Sequence, residues 1–375
     1  MKNKFFRSKL FSVGIILFLM LSISACSNKP GTIGEFIYTA GWYTDASGTI
    51  ACYWKNGVKI DLPVLPTHDG VTVTSIYVID SVVYVAGSYT NGLDSVAFSW
   101  KTGDSTWTYL FLPAHDSVTV TSIYVSGSNV YVAGWYTASG KTIACYWLNG
   151  TMTYHTDPSL IAYARAFGIY VSGSDVYVAG DYIDGGINYA CYWKNGTVIP
   201  LPVTPAPDGV MTATSIYVSG SVVYVAGYYI NVGVNYACYW QDATVTGGTV
   251  TETDLPLTTA PDSVTATSIY VSGSYVYVAD SYINGGVNSA AMWTSNTVTV
   301  PVPVTELTVL TVPAGVTVTS TTSIYVIKSD IYVGGYYTNG SSTNVACYWK
   351  NGVRADLPAV IGENAEVESI FVATL

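Results

Sequence analysis

The stretch that decides the fold is SIYVSGSNVYVAGWYTASGKTIACYW, residues 122–147. Its segments SIYV, VYVAG and ACYW recur in the same order along the chain. The isoleucine of SIYV (or SIFV) falls at Ile76, Ile123, Ile169, Ile216, Ile269, Ile324 and Ile370. The tyrosine of VYVAG falls at Tyr38, Tyr84, Tyr131, Tyr177, Tyr224, Tyr277 and Tyr332, and the tryptophan of ACYW at Trp54, Trp100, Trp147, Trp193, Trp240, Trp293 and Trp349. Successive isoleucines lie 47, 46, 47, 53, 55 and 46 residues apart, which predicts one structural unit per repeat.

Each unit contains four segments typical of β-strands, which we name a (SIYV), b (VYVAG), c (ACYW) and d. Segments a and b are rich in Val, Ile and Tyr and are separated by short turns such as Ser126-Gly127-Ser128. In four units ACYW is followed by Asn-Gly, which favours a tight hairpin between c and d. Segment d ends in Leu-Pro near Leu62-Pro63, Leu112-Pro113, Leu201-Pro202, Leu255-Pro256 and Leu357-Pro358. A proline there suits an outer edge strand.

Four-stranded units repeated radially form a β-propeller, whereas a solenoid would need capping repeats, and none is evident. The first unit opens directly on segment b at Glu35, and residues 367–375 form a lone segment a. The sequence therefore predicts an all-β fold, a seven-bladed β-propeller of four-stranded antiparallel blades. We expect the C-terminal strand to pair with the N-terminal unit and close the ring. In the alternative, SIYV is the outermost strand, each blade is continuous in sequence, and nothing clasps the ring.

The order of IYV-type strand, YVAG, loop and W-x-N-G resembles the NHL, YVTN and kelch-like propeller repeats. It also resembles bacterial surface proteins built from tandem SIYVSGSDVYVAG-type units. The resemblance covers residues 35–375 and implies a propeller fold. It implies little about function, because propellers support binding, scaffolding and many chemistries.

The N-terminus has the pattern of a secretory signal. Four basic residues within positions 2–9 precede an apolar run over residues 10–23, which is short for a membrane span. The following Ile23-Ser24-Ala25-Cys26 resembles the lipobox of bacterial lipoproteins, which implies cleavage before Cys26 and lipidation of Cys26. The alternative is an ordinary secretory signal with an incidental cysteine. We expect a signal peptide over residues 1–25, a tether over 26–34 and the propeller over 35–375, outside the cytoplasm and anchored to the outer membrane or cell surface.

Removal of the signal leaves ten lysine and arginine residues against 24 acidic ones, a net charge near −14. This charge argues against a nucleic-acid partner and against binding to anionic lipid by charge alone. We therefore expect membrane contact through the lipid on Cys26, and a monomer.

Five further cysteines occupy one repeat position, that of ACYW: Cys52, Cys145, Cys191, Cys238 and Cys347. The other two units have Phe98 and Ala291 there, so the position is interpreted as an apolar packing site. Neighbouring blades would hold these cysteines too far apart for disulfides, so we expect buried free thiols. No closely spaced Cys and His residues suggest a metal site, and no cofactor motif occurs.

The loops between b and c, and between d and a, should emerge on one face of the propeller, and they are the longer and more varied ones. The tyrosine of AGxY is present in all seven units and is interpreted as packing. The residue before it varies: Trp42, Ser88, Trp135, Asp181, Tyr228, Ser281 and Tyr336. The four aromatic residues in this set are candidate stacking platforms for sugar or peptide, and Asp181 is a candidate polar contact. The alternative is that these side chains fill gaps between blades.

Arg165 is the sixth candidate ligand-binding residue. It replaces a threonine found at Thr72, Thr119, Thr212 and Thr265, and it is one of two arginines in the mature chain. Drift in a tolerant loop is the alternative. The d–a loops also repeat an aspartate, at Asp69, Asp116, Asp208 and Asp262, with His68 and His115 beside the first two. Ordinary turn chemistry explains these residues, and we predict no metal.

No nucleophile elbow, phosphate loop or zinc signature occurs, and three histidines leave little for acid–base work. The sequence therefore favours a non-enzymatic, membrane-anchored scaffold that binds a glycan, peptide or protein on the longer-loop face. One alternative is a carbohydrate- or lactone-processing enzyme with its site at the mouth of the central channel. Another is a purely structural envelope protein.

Overall fold

The computed structural model describes residues 34–374 apart from residues 64–69, 93, 155–161, 204–209, 244–248, 256–261, 297–303, 317 and 361. The described residues form 28 β-strands arranged in seven four-stranded antiparallel sheets. In this part of the chain no helix is long and apolar enough to span a membrane. The predicted signal and Cys26 lie outside the described residues.

Each sheet is one blade, with its strands in the order a, b, c and d. The a strands are β28 (Ala365–Thr374), β4 (Gly70–Ile79), β8 (Ser117–Ser126), β12 (Ala164–Ser172), β16 (Met211–Ser219), β20 (Ser263–Ser272) and β24 (Val318–Ile327). The b strands are β1 (Glu35–Asp45), β5 (Val82–Asn91), β9 (Asn129–Ala138), β13 (Asp175–Asp184), β17 (Val222–Asn231), β21 (Tyr275–Asn284) and β25 (Asp330–Thr338). We number the blades 1 to 7 in this order, so that blade 1 contains β28 and β1.

The outer strands complete the blades. The c strands are β2 (Gly48–Lys55), β6 (Asp94–Lys101), β10 (Lys141–Leu148), β14 (Ile187–Lys194), β18 (Val234–Asp242), β22 (Val287–Asn296) and β26 (Asn344–Lys350). The d strands are β3 (Val58–Asp61), β7 (Thr108–Tyr109), β11 (Thr151–Tyr154), β15 (Thr197–Pro200), β19 (Val250–Asp254), β23 (Val304–Val309) and β27 (Val353–Asp356). Each a strand contacts the a strands of both neighbouring blades, so SIYV is the innermost strand and surrounds the central channel.

The ring is closed by pairing of the two ends of the chain. Strand β28 pairs antiparallel with β1, from Glu35 opposite Thr374 to Tyr43 opposite Ala365. The predicted seven-bladed ring and its closure are both confirmed. Because this pairing places the last strand of the chain in the first blade, every blade buries its two faces against neighbours.

Each a strand has a β-bulge opposite the last residue of VYVAG, which is glycine in every blade except blade 6. In blade 2, Val73 pairs with Gly87 and Ser75 pairs with Ala86, which leaves Thr74 as the extra residue. The same register shift occurs in all seven blades among the described strands. A Cβ atom on Gly87 would lie 2.0 Å from the carbonyl oxygen of Thr72, a distance that excludes any side chain without movement of the backbone.

The leucines Leu62, Leu201, Leu255 and Leu357 come directly after the d strands, so the predicted place of Leu-Pro within segment d was wrong by one or two residues. Strand β3 ends at Asp61, and the amide of Leu62 then donates to the carbonyl of Ala51. In blade 2 the equivalent leucine is Leu110 and not Leu112, because Leu110 N donates to Ala97 O. A proline is tolerated here because the pairing with strand c ends at the leucine.

Tryptophans of the c strands form hydrogen bonds to the adjacent blade, just after the end of its d strand. The Trp147 indole Nε1 donates to the carbonyl of Phe111, and Trp349 Nε1 donates to that of Thr311, at 2.9 and 2.7 Å. Trp54 makes the equivalent bond across the ring closure, 2.8 Å from its Nε1 to the carbonyl of Pro358. In blades 1, 3, 5 and 7 the repeated tryptophan is therefore both a core residue and a link between neighbouring blades.

The five cysteines of the ACYW position are buried and free, as expected. Burial raises the pKa of each thiol, Cys145 and Cys191 among them, so the groups remain protonated. They fill the interfaces between blades together with valines and tryptophans. The structure supports the interpretation of this position as an apolar packing site.

Deletion of residues 366–375 tests the ring closure. The deletion removes the inner strand of blade 1 with the buried side chains of Val367, Ile370 and Val372, each worth about 2 kcal/mol or more. We expect the melting temperature, measured by circular dichroism, to fall by more than about 10 °C. Removal of residues 374–375 alone, which leaves the pairing of Tyr38 with Phe371, is the control. An unchanged melting temperature for the longer deletion would refute the role of β28.

Candidate functional site at the mouth of the central channel

The central channel is narrowed near one end by a ring of aromatic side chains from the a strands. Its members are Tyr77, Tyr124, Tyr170, Tyr217, Tyr270, Tyr325 and Phe371. Each ring contacts the next, with centroids 4.6 to 4.9 Å apart, and Phe371 completes the circle against Tyr77. Burial raises the pKa of Tyr325 to about 12. We name this set the aromatic floor of the channel.

Above the aromatic floor lies a polar cavity of about 140 Å³. Five blades contribute a Thr-Ser pair to its wall: Thr74-Ser75, Thr121-Ser122, Thr214-Ser215, Thr267-Ser268 and Thr322-Ser323. The hydroxyls connect neighbouring blades, since Ile123 N donates to Ser75 Oγ at 3.1 Å and Thr121 Oγ1 lies 3.0 Å from the Ala166 carbonyl. Two blades depart from this pattern. Blade 4 has Phe167 and Gly168, and blade 1 has Glu368 and Ser369.

The six candidate residues lie on one level, just beyond this cavity. In each blade, the residue before the tyrosine of AGxY lies in strand b. It pairs with the residue of strand a that lies two positions before the Thr-Ser pair or its equivalent. The pairs are Trp42 with Glu366, Ser88 with Thr72, Trp135 with Thr119, Asp181 with Arg165, Tyr228 with Thr212, Ser281 with Thr265 and Tyr336 with Ser320. We name these residues the channel mouth. The structure therefore places all six candidates around one opening, in two groups centred on blades 4 and 1.

In blade 4, Arg165 and Asp181 form a two-point ion pair. Arg165 Nε donates to Asp181 Oδ1 at 3.1 Å, and Nη2 donates to Oδ2 at 2.6 Å. The Oδ2 atom also accepts hydrogen bonds from Asn188 Nδ2 and Thr212 Oγ1. The Asp181 side chain has no exposed surface, whereas that of Arg165 is 27% exposed. Asp181 therefore fixes the guanidinium plane, and Arg165 presents the accessible polar surface.

Aromatic rings surround the Arg165 guanidinium. Its central carbon lies 5.3 Å from the Tyr163 ring and 5.0 Å from the Phe167 ring. The Trp135 ring meets Phe167 at a centroid distance of 5.2 Å. Burial acts to lower the pKa of Arg165, but the hydrogen bonds and charge of Asp181 outweigh burial and raise it. At this side of the mouth the Arg165 guanidinium is therefore a charged group in a fixed orientation, with aromatic rings beside it.

In blade 1, two carboxyl groups accompany the predicted Trp42. Trp42 Nε1 donates to Glu368 Oε1 at 3.2 Å, and Asn344 Nδ2 donates to Glu366 Oε1. Burial raises the pKa of Glu368 to about 7, and the neighbouring charge of Glu366 adds to that shift. Burial likewise raises the pKa of Tyr336, to which the same two carboxylates contribute. This side of the mouth therefore contains two carboxyl groups, and burial raises the pKa of both.

Sequence reasoning missed Glu366, Glu368 and Phe167. Glu366 and Glu368 precede the apolar SIFV segment in β28, which was interpreted only as the closing strand. The signal was available in the alignment of the repeats, since Glu368 and Phe167 both replace the threonine of the Thr-Ser pair. Their proximity to Trp42 and Trp135 depended on the strand register.

A groove extends outward from Trp42 between blades 1 and 2. Its volume is about 300 Å³, and its wall includes Trp42, Thr72, Ser88 and Thr90. The small side chains at the channel mouth of blade 2 leave this space open next to the indole ring. Trp42 thus has a free volume beside it, as a stacking platform requires.

The other loop residues singled out in the sequence form no site among the described residues. His115 contacts the carbonyls of Pro113 and Ser95, which anchors its loop. Asp262 Oδ2 accepts a hydrogen bond from the Gly286 amide. Asp69, His68 and Asp208 lie outside the described residues. The described part of the chain contains no group of three or more His, Cys, Asp or Glu side chains that could bind a metal.

Blade 6 carries a buried acid where the other blades have glycine. Asp280 has no exposed surface, and Trp293 Nε1 donates to its Oδ2 at 2.7 Å. Its Oδ1 atom has no hydrogen-bond partner among the described residues. Burial raises the pKa of Asp280 to about 7, although the Trp293 hydrogen bond lowers it in part. The native protein therefore binds this proton more tightly than the unfolded chain does.

This shift predicts a pH-dependent stability. A carboxyl group whose native pKa is raised destabilises the fold as pH rises from its unfolded pKa, about 4, to its native value. We expect the melting temperature of the wild type to fall between pH 5 and pH 8. Asp280→Asn, whose amide oxygen still accepts from Trp293, and Asp280→Gly, the residue of the other blades, should lessen this fall. Equal pH dependence in wild type and both variants would show that Asp280 does not hold the proton.

The Arg165–Asp181 pair has an internal control in blades 2 and 6, which have Thr and Ser at these two positions. Arg165→Thr alone leaves a buried carboxylate without its cation. We expect a loss of about 3 kcal/mol in the free energy of unfolding, the low end for a broken buried pair, because Arg165 is partly exposed. The double variant R165T/D181S should recover most of this loss. Chemical denaturation of the four members of the cycle measures both, and additive effects would argue against the coupling.

No protein-family model matches this chain, and no curated protein matches it in sequence. Among solved structures, the β-propeller domain of the Trilobed protease from Pyrococcus furiosus aligns with a TM-score of 0.53 at 9% identity, over 88% of this chain and 94% of that one. That domain is described as having an open velcro topology. A polysaccharide lyase described as an ulvan lyase aligns with a TM-score of 0.51 at 11% identity, over 75% of this chain and 81% of that one. At these identities the likeness shows the fold alone: this chain is a seven-bladed β-propeller.

Proposed function

We propose that this protein is a lipid-anchored, extracytoplasmic β-propeller that binds a glycan at the channel mouth without cleaving it. The observation that carries the proposal is the fixed guanidinium of Arg165, framed by Tyr163 and Phe167 and held by the buried Asp181. Sugars combine apolar ring faces with hydroxyl groups in fixed directions. Sites that bind them therefore place aromatic faces beside a few oriented polar groups.

The second platform strengthens this proposal. Trp42 borders the groove of about 300 Å³, and its indole N–H is fixed on Glu368. Trp135 stands against Phe167 on the other side of the mouth. Two aromatic platforms around one opening suit an extended chain of sugar units better than a single small molecule.

The position of the N-terminal strand agrees with a binding role. Strand β1 begins at Glu35 and reaches the level of the mouth at Trp42, so it enters the ring from the opposite face. Gly34, the described residue before β1, therefore joins the strand on the face opposite the mouth. Anchoring through Cys26 remains part of the proposal.

A glycan panel tests the proposal. Residues 27–375 include the whole ring, and we expect this chain to bind at least one polysaccharide in biolayer interferometry. Trp42→Ala and Trp135→Ala should each weaken binding about tenfold, the effect of losing about 1.4 kcal/mol of stacking. Tyr275→Ala, an exposed tyrosine at the start of a b strand and so on the opposite face, is the matched control. Binding that is unchanged in both tryptophan variants would place the site elsewhere.

A carbohydrate-processing enzyme is the second candidate, because the pKa of Glu368 is raised to about 7 and general acid–base catalysis works best with such a group. In that case incubation with the bound polysaccharide should release new chain ends, and Glu368→Gln should abolish the release. Binding without release supports the non-enzymatic role. Neither binding nor release across the panel would favour a structural envelope protein.

A further inference from the structure

The channel mouth has an unbalanced charge distribution. The positive charge of Arg165 is matched by Asp181 at 2.6 Å. Glu366 and Glu368 have hydrogen bonds from Asn344 and Trp42, but among the described residues neither forms an ion pair with a lysine or arginine. The mouth therefore has a balanced ion pair at blade 4 and, at blade 1, two carboxyl groups without a cationic partner among the described residues. The ionised forms of these carboxyl groups would repel an anionic sugar, whereas a cationic group would balance their charge.

Glu368 also faces the polar cavity below the mouth. Among the residues that line this cavity it is the charged one, and the rest of the wall is mainly Thr and Ser hydroxyls. Ser75 and Ser215 each accept a hydrogen bond from a neighbouring amide, and each oxygen has a second lone pair. The volume of about 140 Å³ equals that of four to five waters at about 30 Å³ each. This space admits an ammonium group with its waters.

The Glu368 carboxylate is oriented for such a group. The Trp42 indole donates to Oε1 from above the cavity, which holds the carboxyl plane in place. The ring of Phe167 is part of the cavity wall, and cations are attracted to aromatic rings. The cavity thus offers a carboxylate, hydroxyl oxygens and an aromatic ring, three kinds of group that bind a primary ammonium ion.

We propose that the glycan bound at the channel mouth carries free amino groups, and that one ammonium group enters the polar cavity and pairs with Glu368. The ligand class is a polysaccharide of unacetylated amino sugars. This inference rests on the proposed glycan-binding function and adds the chemical identity of the ligand. An ammonium group beside Glu368 would also favour the ionised carboxylate, so binding should release a proton and weaken below pH 6.

A pair of oligosaccharides that differ only in acetylation tests the inference. The probes are the β-1,4-linked tetramer of glucosamine and its fully N-acetylated counterpart, measured by titration calorimetry at pH 7 with residues 27–375. We expect the amino tetramer to bind at least tenfold more tightly. Glu368→Gln should remove this preference, so that the two tetramers bind with equal affinity. Glu363→Gln, an equal change of charge in an exposed loop outside the cavity, should retain the preference.

The outcomes separate this inference from the proposed function. Equal binding of the two tetramers overturns the ammonium site and leaves glycan binding intact. A preference that survives Glu368→Gln also overturns the ammonium site. If Glu368→Gln has a lowered melting temperature, Glu368→Asp, which keeps the charge, is measured in its place.

If neither tetramer binds, the glycan proposal fails for this class, and small probes then decide the ammonium site. Propylammonium, but not propanol, should shift the NMR signal of the Trp42 indole N–H, assigned by its loss in Trp42→Phe. Absence of that shift overturns the site.

Discussion

The pairing of β28 with β1 is the contact on which the rest of the structure depends. A blade is a twisted sheet that is apolar on both faces, and it is stable only when both faces are covered. Closure of the ring supplies the last interface, between blades 7 and 1, with Tyr43, Cys52 and Val367 in one core cluster. The same pairing brings Trp42 near the N-terminus against Glu368 near the C-terminus. The strand pairing that closes the ring therefore also forms the acidic side of the channel mouth.

The internal symmetry of the repeat makes its exceptions visible. Most blades place Thr and Ser on the wall of the polar cavity, where they connect neighbouring a strands through hydrogen bonds. Blade 4 replaces this pair with Phe167 and Gly168, and blade 1 replaces the threonine with Glu368. Both substitutions remove a link between blades. A ring that is stable through closure and packing tolerates this loss, so these positions are free to serve a ligand.

Electrostatics explains the different roles of the two sides of the mouth. Arg165 is held by a buried carboxylate, so its charge is balanced. Its contribution is the fixed orientation of the guanidinium donors next to aromatic rings. Glu368 is half-buried and not balanced by a cation among the described residues, so burial holds its pKa near 7. Such a group responds to any cation that approaches. The proposed preference for amino sugars follows from this difference.

The sequence by itself determined the fold, the number of blades, the closing strand and the packing role of the repeated Tyr, Cys and Trp, because each depends on local periodicity. It also located the level of the mouth, since Trp42 and Trp135 in the b strands and Arg165 in an a strand break the repeat at two positions that pair with each other. Only the tertiary structure decided that Arg165 and Asp181 are partners, that Glu368 faces Trp42, and that the glycine of VYVAG lies close to a backbone carbonyl of strand a. These features depend on strand register and on contacts between distant segments, and no local pattern encodes such distances.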